Sequence, residues 1–185
     1  MNLSEISLYN SARVRIDLSG RSIGLFCREL PGRVDRTVVT ELKEIAGRYP
    51  DKNVRLCLHD GPEAAFHDMI IFDRRNSYYA PHRHPTKAEC WHVVEGAMAA
   101  FVFGPQGTVL DAQRLEADGT FLYRIDINMV HTVMPLTEYV IYHESKPGPF
   151  LPEGDSIVPE WAPDGRDVQA RDCFVKGLMA CLTPA

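Results

Sequence analysis

"APHRHPTKAECWHVVEG", residues 80–96, sets two histidines on either side of one arginine, continues through a proline to a glutamate, and closes a β-like run on a glycine. In an extended strand residues i and i+2 share a face, so His82 and His84 aim at one spot. Glu89 lies five residues past His84, the wrong parity for that face in an unbroken strand. Pro85 cannot donate to a sheet ladder, and a turn over Pro85, Thr86 and Lys87 resets the register so that Glu89 faces the same interior. Two imidazoles and a carboxylate suit a first-row divalent metal, unlike the thiolates of zinc fingers or the oxygen-rich loops of calcium sites. A further imidazole is needed. His131, in "DINMVHTVM", opens a late strand that an antiparallel barrel can bring opposite the first. An H-x-H pair alone is more often solvated or hydrogen-bonded than metal-bound, so the weight rests on the whole combination.

The flanking sequence is that of a β protein. From residue 54 onward come short runs rich in Val, Ile, Phe and Tyr: "VRLCLH", "MIIF", "CWHVV", "MAAFVF", "TVLDAQRL", "FLYRI", "HTVM" and "YVIYHE". Turn residues such as Gly61-Pro62, Gly96, Gly104-Pro105, Gly107, Asp118-Gly119 and Pro135 separate them, the pattern of a sandwich or barrel. Earlier, "RVRIDL" (13–18) and "SIGLFCREL" (22–30) predict two strands. Asp35 then precedes a helical spacing of Val38, Val39, Leu42, Ile45 and Ala46, with Gly47 and Pro50 near its end. After a Pro/Gly-rich connection, "SKPGPFLPEGDSIVPEWAPDG", which must either pack as an ordered loop or dangle, residues 166–182 predict a terminal helix buried along Val168, Cys173, Phe174, Leu178 and Met179.

With 185 residues and no break in composition, one domain is expected over 1–185: N-terminal strands and helix (1–52), a barrel core with the metal site (53–146), then the loop and terminal helix (147–185). A net charge of −5 and no basic run beyond "DRR" at 73–75 argue against a nucleic-acid partner. There is neither a basic-then-apolar start nor an apolar stretch of membrane-spanning length, so a cytoplasmic protein without a membrane partner is expected. Five cysteines (27, 57, 90, 173 and 181) with no C-x-x-C pair read as mostly reduced, buried small residues. No Cys or Ser offers a nucleophile with a neighbouring base.

The string His82-x-His84-x4-Glu89-x6-Gly96, with His131 some forty residues on, resembles the first and second motifs of the cupin superfamily. Within it the chain looks like the WbuC-type cupin metalloproteins, often associated with bacterial surface-polysaccharide gene clusters. That similarity runs from about residue 53 to 164, through "PHRHPTKAE", "VVEGAMAAFVFGPQG", "HTVMPL", "HESKPGPF" and "EWAPDG". The resemblance implies a mostly β fold, a double-stranded β-helix or jelly-roll barrel, with one helix in the N-terminal half and one at the C-terminus. It implies a single divalent transition metal held by His82, His84, Glu89 and His131, Fe(II) being favoured over Zn(II), Mn(II) or Ni(II).

Three positions, one in the first motif and two in the second, depart from the family pattern. Asn76 stands where the first motif usually has glycine, a place a left-handed turn lets it fill. Asp126 and Asn128 replace the Pro and Gly of the second motif, which puts the shape of the loop presenting His131 in question. Glu144 matches a family glutamate that can orient a ligand histidine or act as a base, as Glu89 can if it detaches; a plain surface carboxylate is the competing reading for Glu144. Tyr79, Trp91, Tyr123 and Tyr142 are candidates to line a pocket, against the usual core role of barrel aromatics. His59, His67, His92 and His143 read as structural.

Function then divides three ways: an iron-dependent oxygenase acting on a small polar molecule, an isomerase or epimerase acting on a sugar or sugar nucleotide, or a non-catalytic metal-dependent binding module. A homodimer through the edge strand "RVRIDL" is expected in each case.

Overall fold

The computed structural model describes residues 7–28 and 32–182. Glu29 and Leu30, at the end of the second expected strand, lie outside them. Ten strands and two helices follow one another as β1 (Val14–Asp17), β2 (Ile23–Cys27), α1 (Arg36–Arg48), β3 (Val54–Cys57), β4 (Phe66–Arg74), β5 (Glu89–Glu95), β6 (Ala97–Phe103), β7 (Val109–Glu116), β8 (Leu122–Ile125), β9 (Val130–Pro135), β10 (Tyr139–Pro147) and α2 (Val168–Met179). They form a seven-stranded sheet, β1-β2-β3-β4-β10-β5-β8, facing a three-stranded sheet, β7-β6-β9. This is the jelly-roll barrel of the cupin type that the motifs implied.

Every pairing is antiparallel except β2 with β3. A parallel pair needs a crossover, and α1 makes it. The Asp35 carboxylate caps that helix by accepting from the Thr37 and Val38 amides at 2.9 and 3.2 Å. All five apolar positions expected along α1 are buried against Ile23, Leu25, Val54, Leu56, Ile70, Phe72 and Ile141 on the outer face of the large sheet. The barrel interior is a second core, including Met69, Ile71, Trp91, Val93, Met98, Leu115, Val140 and Tyr142. On the outside of the small sheet, Ala99, Phe101 and Phe103 meet Leu178, Phe174 and Trp161. β6 therefore has an apolar layer on both faces, which explains why its seven residues are buried without alternation.

The structure corrects three expectations. Of the stripe expected along α2 only Leu178 is buried; Val168, Cys173 and Met179 face outward, because the helix covers a sheet only three strands wide. Cys173 and Cys181 are exposed rather than buried, and all five cysteines are free. Asn76 does not adopt positive φ: it sits in an ordinary turn closed by Ser77 N donating to Arg74 O at 2.9 Å. The Pro/Gly-rich connection is an ordered loop, with the Trp161 indole N–H donating to Pro105 O at 3.0 Å. Gly96 joins β5 to β6 at φ 81°, where a Cβ would stand 2.5 Å from Tyr139 O, so only glycine fits that corner.

Candidate metal centre

Backbone pairing brings the histidines together. His82 and His131 form an isolated antiparallel bridge, exchanging N–H···O bonds of 2.9 and 2.8 Å, and residues directly opposite in such a pair project to the same side. His84 follows on the same face at i+2. The chain then bends at Pro85 and Thr86, and β5 starts at Glu89 with its side chain turned into the same interior. One nitrogen from each of His82, His84 and His131 lies within 4.8 Å of the others. Glu89 joins them from the side, with Oε1 2.9 Å from His84 Nε2 and Oε2 3.2 Å from His131 Nε2.

The other ring nitrogens define what these imidazoles can do. His82 Nδ1 donates to Ala80 O at 2.9 Å, His84 Nδ1 to Asp155 O at 2.5 Å, and His131 Nδ1 to Met129 O at 2.9 Å. A carbonyl can only accept, so each Nδ1 carries a proton and each neutral ring keeps its Nε2 lone pair free. The Nε2 atoms of His84 and His131 are buried with no hydrogen-bond partner, since Glu89 is close to both but outside hydrogen-bond geometry. Orphaned buried acceptors are costly, and here they converge with a carboxylate on one point. The donor set fits a divalent transition metal.

Charge supports the same conclusion. Burial, reinforced by His131, pushes His82 down to about 4, so its ring is neutral at physiological pH. Burial also opposes a charge on His84, but the adjoining Glu89 carboxylate outweighs it and raises that ring. Burial alone would raise Glu89; the Lys146 ammonium and the two imidazoles override it and hold the carboxyl well below its ordinary range. Lys146 Nζ lies 2.7 Å from Glu89 Oε1 and 3.1 Å from Glu144 Oε1.

Glu144 touches no ligand histidine among the described contacts. It binds Lys146 and accepts from Trp91 Nε1 at 3.3 Å, following the register that sets Glu144 opposite Trp91. Trp91 lies opposite Tyr123; their rings are stacked 6.3 Å apart, and Trp91 is 5.5 Å from the His131 ring. The Tyr123 hydroxyl donates to Asp111 Oδ2 at 2.5 Å, and Gln113 Nε2 donates to Asp111 Oδ1 at 2.7 Å. An aromatic shelf with a carboxylate and an amide at its far end thus adjoins the histidines. Tyr79 and Tyr142 instead donate to the buried Asp73. His59 and His67 stack on each other, His143 pairs with Asp68, and His92 lies against Phe121.

The substituted second motif presents His131 through a left-handed turn. Asn128 adopts φ 64°, the left-handed conformation usually left to glycine, and its amide donates to His84 O at 2.7 Å while its side chain accepts from Arg83. Asp126 is exposed and pairs with Arg124 at 3.5 Å. Sequence reasoning missed Lys146, Lys87 and Asp155. Lys87 Nζ donates to Pro149 O at 2.5 Å and pairs with the Asp155 carboxylate, fixing the loop whose carbonyl orients His84. Lys146 had a signal, because it shares a strand face with Glu144 two residues away; Asp155 had none.

Residues 34–115 match the family described as Domain of unknown function (DUF6016). No curated protein matches the chain. Among solved structures, the capsular polysaccharide assembling protein CapF from Staphylococcus aureus is 12% identical with a TM-score of 0.51, covering 80% of this chain and 34% of CapF. The likeness is one of fold. The oxalate decarboxylase of Lactobacillus farciminis is 19% identical at a TM-score of 0.41, covering 51% of this chain. A Klebsiella pneumoniae protein with a double-stranded β-helix domain is 15% identical at 0.44, with 58% of this chain and 80% of that one covered. This chain's match spans about a quarter of the decarboxylase and a third of CapF. No helix among the described residues is long and apolar enough to cross a membrane.

Proposed function

We propose that the protein is a metal-dependent enzyme of the WbuC-type cupins that transforms a small polar molecule at the His82, His84, Glu89 and His131 centre, with Fe(II) as the favoured metal and oxygenase chemistry as the leading reaction type. The observation that carries this reading is the tautomer arrangement: three rings whose Nδ1 atoms are committed to carbonyls turn their Nε2 lone pairs to one buried point. His82, His84, Glu89 and His131 would hold the metal, which would supply Lewis acidity and, as iron, redox capacity. The chain supplies the rest. Glu89 is the carboxylate in the cluster and Glu144 is joined to it through Lys146, and these are the two groups that would serve as a base. The half-buried Tyr123, backed by the buried Trp91, is the aromatic ring that would meet a substrate.

The test is metal content after purification without added metal or chelator, compared with His84→Ala. Wild-type protein should carry about one equivalent and the variant less than about a tenth of that, because losing a ligand breaks the closed donor set. A variant with full metal would refute the assignment. Turnover only under air supports the oxygenase.

A second reading, sugar or sugar-nucleotide isomerisation or epimerisation, draws on the half-buried Tyr123, Asp111 and Gln113, an aromatic ring beside hydroxyl-binding groups. CapF, named for capsular polysaccharide assembly, shares the fold. This reading expects turnover indifferent to oxygen. A cytoplasmic homodimer fits either reading: β1 pairs with β2 of its own chain, leaving an open sheet edge where Ile16 is 55% exposed.

A further inference from the structure

Lys146 is a partly buried cation that the metal-centre reading does not use. It lies on β10, its side chain 17% exposed, and it divides its ammonium between Glu89 Oε1 at 2.7 Å and Glu144 Oε1 at 3.1 Å. The β5–β10 register fixes this position: Ser145 is opposite Cys90 and Glu144 opposite Trp91, so one further step along the antiparallel pair sets Lys146 against Glu89. Glu144 is anchored in turn by the Trp91 indole. The four groups form a closed chain from indole to carboxylate to ammonium to ligand carboxylate, built across two strands with no loop residue.

We infer that Lys146 is a positioning residue that claims Oε1 of Glu89, leaving only Oε2, the oxygen beside His131, for a metal. Its role is to keep the fourth ligand one-handed and weakly held. A hydrogen-bonding carboxylate behind a ligand imidazole strengthens that ligand, and its loss typically weakens binding 10–100-fold. An ammonium behind a ligand carboxylate acts with the opposite sign, because it draws charge away from the donor oxygen and repels the incoming cation. Its removal should therefore tighten metal binding, whereas loss of a merely structural lysine would leave binding unchanged or weaken it. One-handed attachment would also preserve an open position for substrate.

This inference rests on the metal-centre reading, and cobalt separates the two. Co(II) is titrated into metal-free wild-type protein, Lys146→Met and Lys146→Arg, reading affinity by competition with a chelator and donor number from the visible d–d bands, which weaken as donors are added. K146M should bind Co(II) about tenfold more tightly or better, with weaker bands as Glu89 adds its second oxygen, and K146R should restore the wild-type affinity and spectrum. If K146M does not fold, Lys146→Gln carries the same expectation. Unchanged or weaker binding by the folded neutral variant, with a wild-type spectrum, overturns the role of Lys146 and leaves the metal centre intact. Failure of wild-type protein to bind stoichiometric Co(II) overturns both.

Discussion

Glu89 and Asp73 are both buried in this barrel, and their surroundings push them in opposite directions. Glu89 is 3% exposed and Asp73 1%. Glu89 faces an ammonium and two imidazoles and is held ionised, far below the usual carboxylate range despite the cost of burial. Asp73 is raised to about 6, chiefly by burial, because its partners are the Tyr79 and Tyr142 hydroxyls, which stabilise the anion but carry no charge to balance it. Depth does not determine the state of a buried acid; the presence of a cation within hydrogen-bond reach does. One acid is thereby fitted to be a ligand and the other to be a hydrogen-bonding strut.

The largest expected effect comes from breaking the charged side. In metal-free protein, Glu89→Ala leaves Lys146 with Glu144 alone and should cost about 3 kcal/mol at neutral pH, the lower end of what removing one partner of a buried pair costs. The sign follows from the depressed folded pKa. The stabilisation by ionised Glu89 is present above the ordinary carboxylate range and is lost as pH falls through the folded value, so wild type and E89A should converge in acid. Chemical denaturation across pH measures this; a constant gap would show that packing, not charge, is responsible.

Asp73 should behave the other way. Its folded value of about 6 stands above the ordinary 3.8, so the folded state holds the extra proton and this group's contribution to stability falls as pH rises through that window. The loss is on the order of 3 kcal/mol between pH 4 and pH 7. Asp73→Asn should remove it, gaining on wild type as pH rises from 4 to 7 in urea titrations. Parallel profiles for the two proteins would mean that Asp73 is not raised in the fold.

The smallest effect sharpens the comparison at the loop that presents His131. Asn128→Gly should leave the melting temperature almost unchanged, since glycine accepts the left-handed backbone at least as well. Asn128→Ala should cost about 1 kcal/mol, and equal cost for both variants would place the importance of Asn128 in its bond with Arg83.

Much of this was legible beforehand. Each expected strand appears among the described residues, and α1 appears with its capping Asp35 and all five buried positions, because period and turn chemistry are local properties. The His82, His84 and Glu89 convergence was readable for the same reason: i+2 parity and a proline that breaks it are written in consecutive residues. α2 was read less well, since an apolar stripe shows that a helix can be buried and not how wide a surface awaits it.

By itself, then, the sequence determined which residues share a face, where strands turn, and which three histidines and one glutamate can converge. Only the tertiary structure decided what stands behind them. Lys146 reaches Glu89 across 57 positions of sequence, Asp155 O fixes His84 across 71, and Tyr142 reaches Asp73 across 69. Periodicity tells a side chain which way to point, but its partner is set by the register of strands distant in the chain, and it is the partner that decides whether a buried acid is an anion or a proton carrier.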